Sequence, residues 1–193
     1  MDLTQGTFEE KNNRAKKMML WFGLISLFMS FAGWTSAFIV SSKRPDWLTD
    51  FEMPQAFQMS VALIIASSVT LFFAKKMLLK GKSKLTTILL SITFALGILF
   101  VVNQFAGFRE ILNQGYNFTG PTSNVTMSYI YLIAIVHIAH VLIGLFCLLV
   151  VIYNNSKQKY SDGHTLGLDL ASTFWHFVDL LWVYLFLFFT FMN

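Results

Sequence analysis

Four ionisable side chains stand out for where they lie. His137 and His140 sit three residues apart inside one long apolar run, and His176 and Asp179 repeat that spacing inside another. Residues three apart share one face of a helix, so each run would present a polar stripe. Imidazole can ligate a haem iron, and an imidazole beside a carboxylate can relay a proton. Ionisable groups inside a membrane span are expensive and call for a partner and a reason.

Three readings of the four residues compete. Two of the histidines could hold a b-type haem, but opposed ligands need a roomy pocket, and the surrounding sequence is filled with Leu, Phe and Trp. The set could form a proton path, but such paths join both faces through several polar groups. The first two apolar runs offer only Ser and Thr, and the third offers Asn103 and Gln104. The groups could instead tie helices together or meet lipid headgroups, with each interhelical hydrogen bond contributing roughly 0.6–2 kcal/mol. Asp179, the one acid in the apolar runs, must be protonated, paired or hydrated.

The elements that must position these groups are membrane helices. Hydrophobic residues make up 55% of the 193, and charged residues only 12%, against roughly 25% charged in a soluble domain. That is too little polar surface for a soluble globule. Crossing a bilayer core of roughly 30 Å takes about 20 apolar residues. Five runs qualify, over about 18–40, 57–79, 85–106, 127–153 and 171–192. The expected fold is therefore an all-α, five-helix transmembrane bundle in a single membrane domain. The first run is too long for a cleavable signal peptide and reads as a retained helix. With Asp179 about eight residues into the fifth run, its depth is roughly 12 Å at 1.5 Å per residue. The short loop between the fourth and fifth runs predicts antiparallel neighbours, which leaves room for a His140–Asp179 or His140–His176 contact, the rotation of the helices being open.

Basic residues give a direction. Lys11, Arg14, Lys16 and Lys17, then Lys75, Lys76, Lys80, Lys82 and Lys84, then Lys157 and Lys159 fall on one side, and only Lys43, Arg44 and Arg109 on the other. By the positive-inside rule the N-terminus is inside and the C-terminus outside. This clustering explains the +4 charge without nucleic acid. The lone Cys147 rules out an internal disulfide and reads as a packing residue. Most of the tryptophans read as an interfacial belt, with Trp182 the one nearer mid-span. Small residues four apart, Ser26/Ser30 and Gly33/Ala37, would allow close helix contact. The formal glycosylation sequons at Asn117 and Asn124 read as chance. No Walker loop, dinucleotide fingerprint, HExxH or nucleophile elbow is present, so no soluble active site is expected.

Three segments carry a resemblance. Phe174-Trp-His-Phe-Val-Asp-Leu-Leu-Trp-Val-Tyr-Leu-Phe186, His137-Ile-Ala-His-Val-Leu-Ile-Gly144 and His164-Thr-Leu-Gly-Leu-Asp169 resemble, in order and spacing, motifs of subunit III of the haem-copper respiratory oxidases. The first looks like that family's W-H-F-V-D-x-x-W stretch in its final helix, the second its H-G-x-H-V-x-x-G motif and the third its H-x-x-G-x-E segment. The chain resembles the short five-helix bacterial form, without the first two helices of seven-helix members. There are departures: Leu27 stands where members often carry Glu, Gly107 replaces the carboxylate of a Q-x-x-E-Y pattern that begins at Gln104, and Asp169 replaces a Glu.

The resemblance implies a non-catalytic subunit of a proton-pumping terminal oxidase that reduces O₂ to water. Such a subunit packs on subunit I, which holds the haem and copper, and itself carries no catalytic or metal-ligating residue. It binds phospholipid and supports assembly, proton uptake and turnover, in a complex that can join a larger respiratory assembly. The electron donor, cytochrome c or quinol, is left open, and the membrane is expected to be the bacterial cytoplasmic one. His137, His140, His176 and Asp179 form the expected polar cluster, and Trp175, Trp182, Gly144, His164, Asp169 and Gln104 the helix-packing or lipid contacts. Alternatives are an accessory subunit of a nitric oxide reductase and, in a different class, an independent small transporter or haem carrier.

Overall fold

The computed structural model describes residues 6–48, 53–120, 123–160 and 165–192; His164 lies outside them. Five helices follow one another: α1 (Phe8–Ser41), α2 (Gln55–Leu79), α3 (Ser83–Asn113), α4 (Val125–Ser156) and α5 (Leu166–Phe191). All five are long and apolar enough to cross a membrane.

The helices overrun the apolar stretches that announce them, because composition marks the bilayer core while caps mark the ends. Thr7 starts α1 ten residues ahead of its apolar run. Its hydroxyl accepts from the Glu10 amide at 3.3 Å, and Glu10 Oε2 accepts from the Thr7 amide at 2.9 Å, a reciprocal capping box. Asn124, half of a formal sequon, caps α4 by accepting from the Thr126 amide at 2.8 Å. Between α2 and α3 the chain reverses over three residues, with Gly81 at φ +71°, a conformation that favours glycine.

Cross-helix contacts set the direction of each element. Lys75 near the end of α2 meets Asp169 at the start of α5. Asn155 at the end of α4 meets Ser83 at the start of α3. Thr35 and Tyr184, both late in their helices, join α1 to α5 at 3.1 Å. Helices α1, α3 and α5 therefore run one way, and α2 and α4 the other. The four helices α2, α3, α4 and α5 close into a ring, each touching its two neighbours, while α1 leans only on α4 and α5. Phe31 and Phe38 of α1 pack into that contact and are buried.

Outside the ring, large apolar side chains face outward on every helix, among them Phe28, Phe72, Phe105, Phe146 and Leu180. This suits a hydrocarbon solvent, in which outward apolar groups carry no penalty. The α1 face bearing Ser26, Ser30 and Gly33 is exposed, and a Cβ added at Gly33 would meet nothing within 4 Å. The small residues on this face therefore serve no contact within the described chain.

Candidate functional site

The polar stripe of α5 faces α2. Ser67 and Ser68 on α2 both donate to Asp179 Oδ2, Ser67 at 3.4 Å and Ser68 closer still. The Ser68 hydroxyl also lies 3.0 Å from His176 Nδ1, and Trp175 Nε1 donates to Ser67 Oγ at 3.1 Å. Two adjacent serines thus bind three side chains of the last helix. Asp179 is nine-tenths or more buried and His176 half-buried.

This corrects the expected anchoring of α5 to α4. His137 and His140 hydrogen-bond to neither His176 nor Asp179. His140 Nδ1 lies 2.8 Å from the carbonyl of Val136, one turn earlier on its own helix. His137 is fully buried with both ring nitrogens unpartnered. Its ring lies 5.0 Å from that of Trp182 at a 31° tilt, with the edges of Phe31 and Phe100 around it. The four residues form two separate pairs because α5 turns its His/Asp stripe toward α2, while its tryptophans fill the ring interior between α2, α3 and α4. Depth points to the right partner: Ser67 lies about twelve residues from the end of α2 and Asp179 about thirteen from the start of α5. Counting from residue 171 places Asp179 too shallow, since α5 begins at Leu166.

The tryptophans of α5 are core residues. Trp175 and Trp182 are 1% and 0% exposed, which corrects the belt reading of Trp175. Two glycines make room for its indole. A Cβ at Gly97 of α3 would lie 2.7 Å from Trp175 Cη2, and one at Gly144 of α4 2.9 Å from Trp175 Cε3. The glycine that closes the His137–Gly144 motif is thus a notch for the tryptophan of the next motif. Trp182 packs edge-on against Phe57 at 5.8 Å and Phe100 at 5.4 Å. Gly107 has its own reason: a side chain there would run into the Phe57 ring. No carboxylate fits at that position without moving Phe57.

Gln104 is fully buried, one turn beyond Phe100 on α3, with its amide oxygen and nitrogen both unpartnered. Asp169 sits at the edge of the fold. Its Oδ1 pairs with Lys75 Nζ at 2.8 Å, and the two side chains are 29% and 41% exposed. Ser67 and Ser68 escaped sequence reasoning, because a serine pair in an apolar run carries no signal until the facing helix is known.

His137 and His140 lie on one helix, so they cannot oppose each other across an iron. Aromatic rings crowd His137, and Ser68 engages His176. No group of three His, Cys, Asp or Glu side chains close enough to hold a metal occurs among the described residues.

Between α1 and the α4–α5 edge runs an apolar groove of about 300 Å³, lined by Leu20, Ile143, Phe146, Cys147, Leu170 and Phe174 among others. Leu20 and Leu170 continue into a polar mouth bearing Lys17, Lys75, Asp169 and Thr173.

What the chain resembles agrees with this arrangement of packing motifs. A family model described as Cytochrome c oxidase subunit III matches residues 3–193. A protein named cytochrome c oxidase subunit 3 from Myxine glutinosa is 29% identical over 96% of this chain and 75% of its own length. One of the same name from Drosophila yakuba is 30% identical over 95% and 73%, and one from Loxodonta africana 28% over 95% and 73%. The family match spans all five helices and the three motifs. The chain belongs to the cytochrome c oxidase subunit III family.

Proposed function

We propose that this chain is a non-catalytic subunit of a proton-pumping terminal oxidase, packed on the catalytic subunit I, where it supports assembly, proton uptake and turnover. The observation that carries the reading is how the polar side chains of α5 are used. His176, Asp179 and Trp175 bind serines of α2, so this helix works as a lock. The haem and copper of such a complex belong to subunit I, and cytochrome c or quinol supplies its electrons. The groove between α1 and α4–α5 suits an acyl chain, and Lys17 and Lys75 at its mouth suit a phospholipid phosphate.

The orientation is N-terminus inside and C-terminus outside. The excess of basic residues at the end of the bundle holding the start of α1 supports it. The membrane is the bacterial cytoplasmic one, in keeping with the resemblance to the short five-helix form; the named relatives come from animals, and fractionation of the source cell decides.

The test is to tag the chain, purify it in mild detergent, identify the copurified subunits by mass spectrometry and record a reduced-minus-oxidised spectrum. A haem-copper catalytic subunit that copurifies, with haem absorbance that leaves the chain when that subunit is stripped away, is the expected result. Haem that stays with the isolated chain overturns the reading. A chain with no partner revives the independent transporter, and a nitric oxide reductase subunit as partner moves the complex to another enzyme.

A further inference from the structure

Every fully buried side-chain nitrogen or oxygen without a hydrogen-bonding partner, among the described residues, belongs to four side chains of one bundle. They are Gln104 Oε1 and Nε2, His137 Nδ1 and Nε2, Asp179 Oδ1 and Trp182 Nε1. These residues are not scattered. Trp182 stacks on His137, and Phe100 touches both rings at 5.4 and 5.9 Å. Gln104 is the next residue along the same face of α3 from Phe100, and Asp179 lies one turn before Trp182 on α5. Gln104, His137 and Trp182 thus come from three helices of the ring, with Asp179 one turn from Trp182.

Leaving such atoms unpaired in a core shielded by lipid is costly. No partner subunit can reach them, because Gln104, His137 and Trp182 are 0% exposed and Asp179 only 4%. The only molecule small enough to enter and able both to donate and to accept is water. We propose that the α3–α4–α5 interior is a water-binding site, holding about two molecules on the usual ~3 hydrogen bonds per buried water. The site takes a donor from Trp182, an acceptor from Asp179, and both kinds from His137 and Gln104. It begins where the Ser67/Ser68 contacts of Asp179 end, so Asp179 bonds protein through one oxygen and water through the other. The water would supply the hydrogen bonds that no protein group gives to His137, Trp182 and Gln104.

Hydroxyl-radical footprinting of the intact purified complex tests this, with radicals generated by X-rays from water already in place. Trp175 is the internal reference, since it is as buried as Trp182 but its indole nitrogen is satisfied by Ser67. Trp21, 59% exposed, reports that radicals formed. The expected result is oxidation of Trp182 and His137 several-fold faster than of Trp175, with label from ¹⁸O water equilibrated beforehand. Trp182 as protected as Trp175 overturns the proposal and means that the four side chains pair among themselves. A His137→Phe variant adds a second reading. It removes two of the six polar atoms and should lower the oxidation rate of Trp182; an unchanged rate also counts against the site.

Discussion

A methyl group added at Gly97 should strain the bundle more than one added at Gly33, although both sit in the middle of apolar helices. At Gly97 the new Cβ would lie 2.7 Å from Trp175 Cη2 and 2.8 Å from Leu145 Cδ2, whereas at Gly33 it meets nothing. Contacts that short force the indole or the leucine to move, and overpacking of this kind costs about 1–3 kcal/mol. Alanine recovers up to about 1 kcal/mol of helix propensity at either site. Gly97→Ala therefore nets about 0–2 kcal/mol of destabilisation, and Gly33→Ala is neutral or slightly stabilising. At about 2–4 °C per kcal/mol for a chain of this size, the two variants should melt several degrees apart. The assay is size-exclusion chromatography of a fluorescently tagged chain after graded heating in detergent. A second arm tests the cause. The atoms that would clash at Gly97 and Gly144 include Cη2, Cζ2, Cε3 and Cζ3 of Trp175, all in the indole six-membered ring, which Trp175→Phe withdraws. In a double-mutant cycle the cost of Gly97→Ala should fall in the Trp175→Phe background, with the Leu145 contact left in place. Equal melting of Gly97→Ala and Gly33→Ala, or a cost of Gly97→Ala that Trp175→Phe leaves undiminished, would refute the notch.

Asp179→Leu should reduce the yield of assembled complex more than Asp179→Asn. The amide still accepts from Ser67 and Ser68, while leucine forfeits both bonds, about 0.6–2 kcal/mol each; wild-type yield for both variants on a native gel would sink the idea. Asn155→Leu should loosen α4 from α3, since Asn155 Nδ2 donates to the Ser83 carbonyl and to Thr87 Oγ1 at 3.1 and 2.8 Å. The readout is faster protease cleavage in the loop at Gly81. Asp169→Asn should change the melting temperature by less than either, because its pair with Lys75 is partly exposed and such pairs contribute about 0–1 kcal/mol. A C-terminal alkaline phosphatase fusion should be active and a C-terminal green fluorescent protein fusion dark, if the basic residues set direction as argued; the reverse pattern inverts the topology.

The number of helices was legible because hydrocarbon thickness sets a length that a sequence must match. Their ends were not, since Thr7 caps α1 well ahead of its apolar run and Asn124 caps α4 a few residues ahead of its own. The candidate site was half legible. Spacing put His176 and Asp179 on one stripe, as found, but chain proximity suggested α4 as the neighbour they address. In a closed ring α5 has two neighbours on different sides, and its rotation is decided by the indole of Trp175 entering the Gly97/Gly144 notch. That fit involves three helices and has no trace in the spacing of any one. The departure at Gly107, where the family pattern has a carboxylate, is a requirement of space beside Phe57.

The division of labour along α5 follows from the solvent. Lipid chains are as apolar as leucine, so apolar faces alone give membrane helices little reason to prefer one partner or one register over another. Steric notches and hydrogen bonds must supply the choice. Along α5 they alternate: Asp169 to Lys75 at the rim, Trp175 to two glycines and a serine, His176 and Asp179 to a serine pair, Trp182 to His137 and Phe57, and Tyr184 to Thr35 of α1. Rotating α5 by one residue would turn Asp179 from its serines and drive Trp175 into a helix backbone at once, so the errors are coupled and each contact guards the others. A helix specified this way holds one register without any gain from burying apolar area. That is the property the proposed accessory role calls for, because an outer face must stay fixed for a partner while the rest of the bundle has only lipid to pack against.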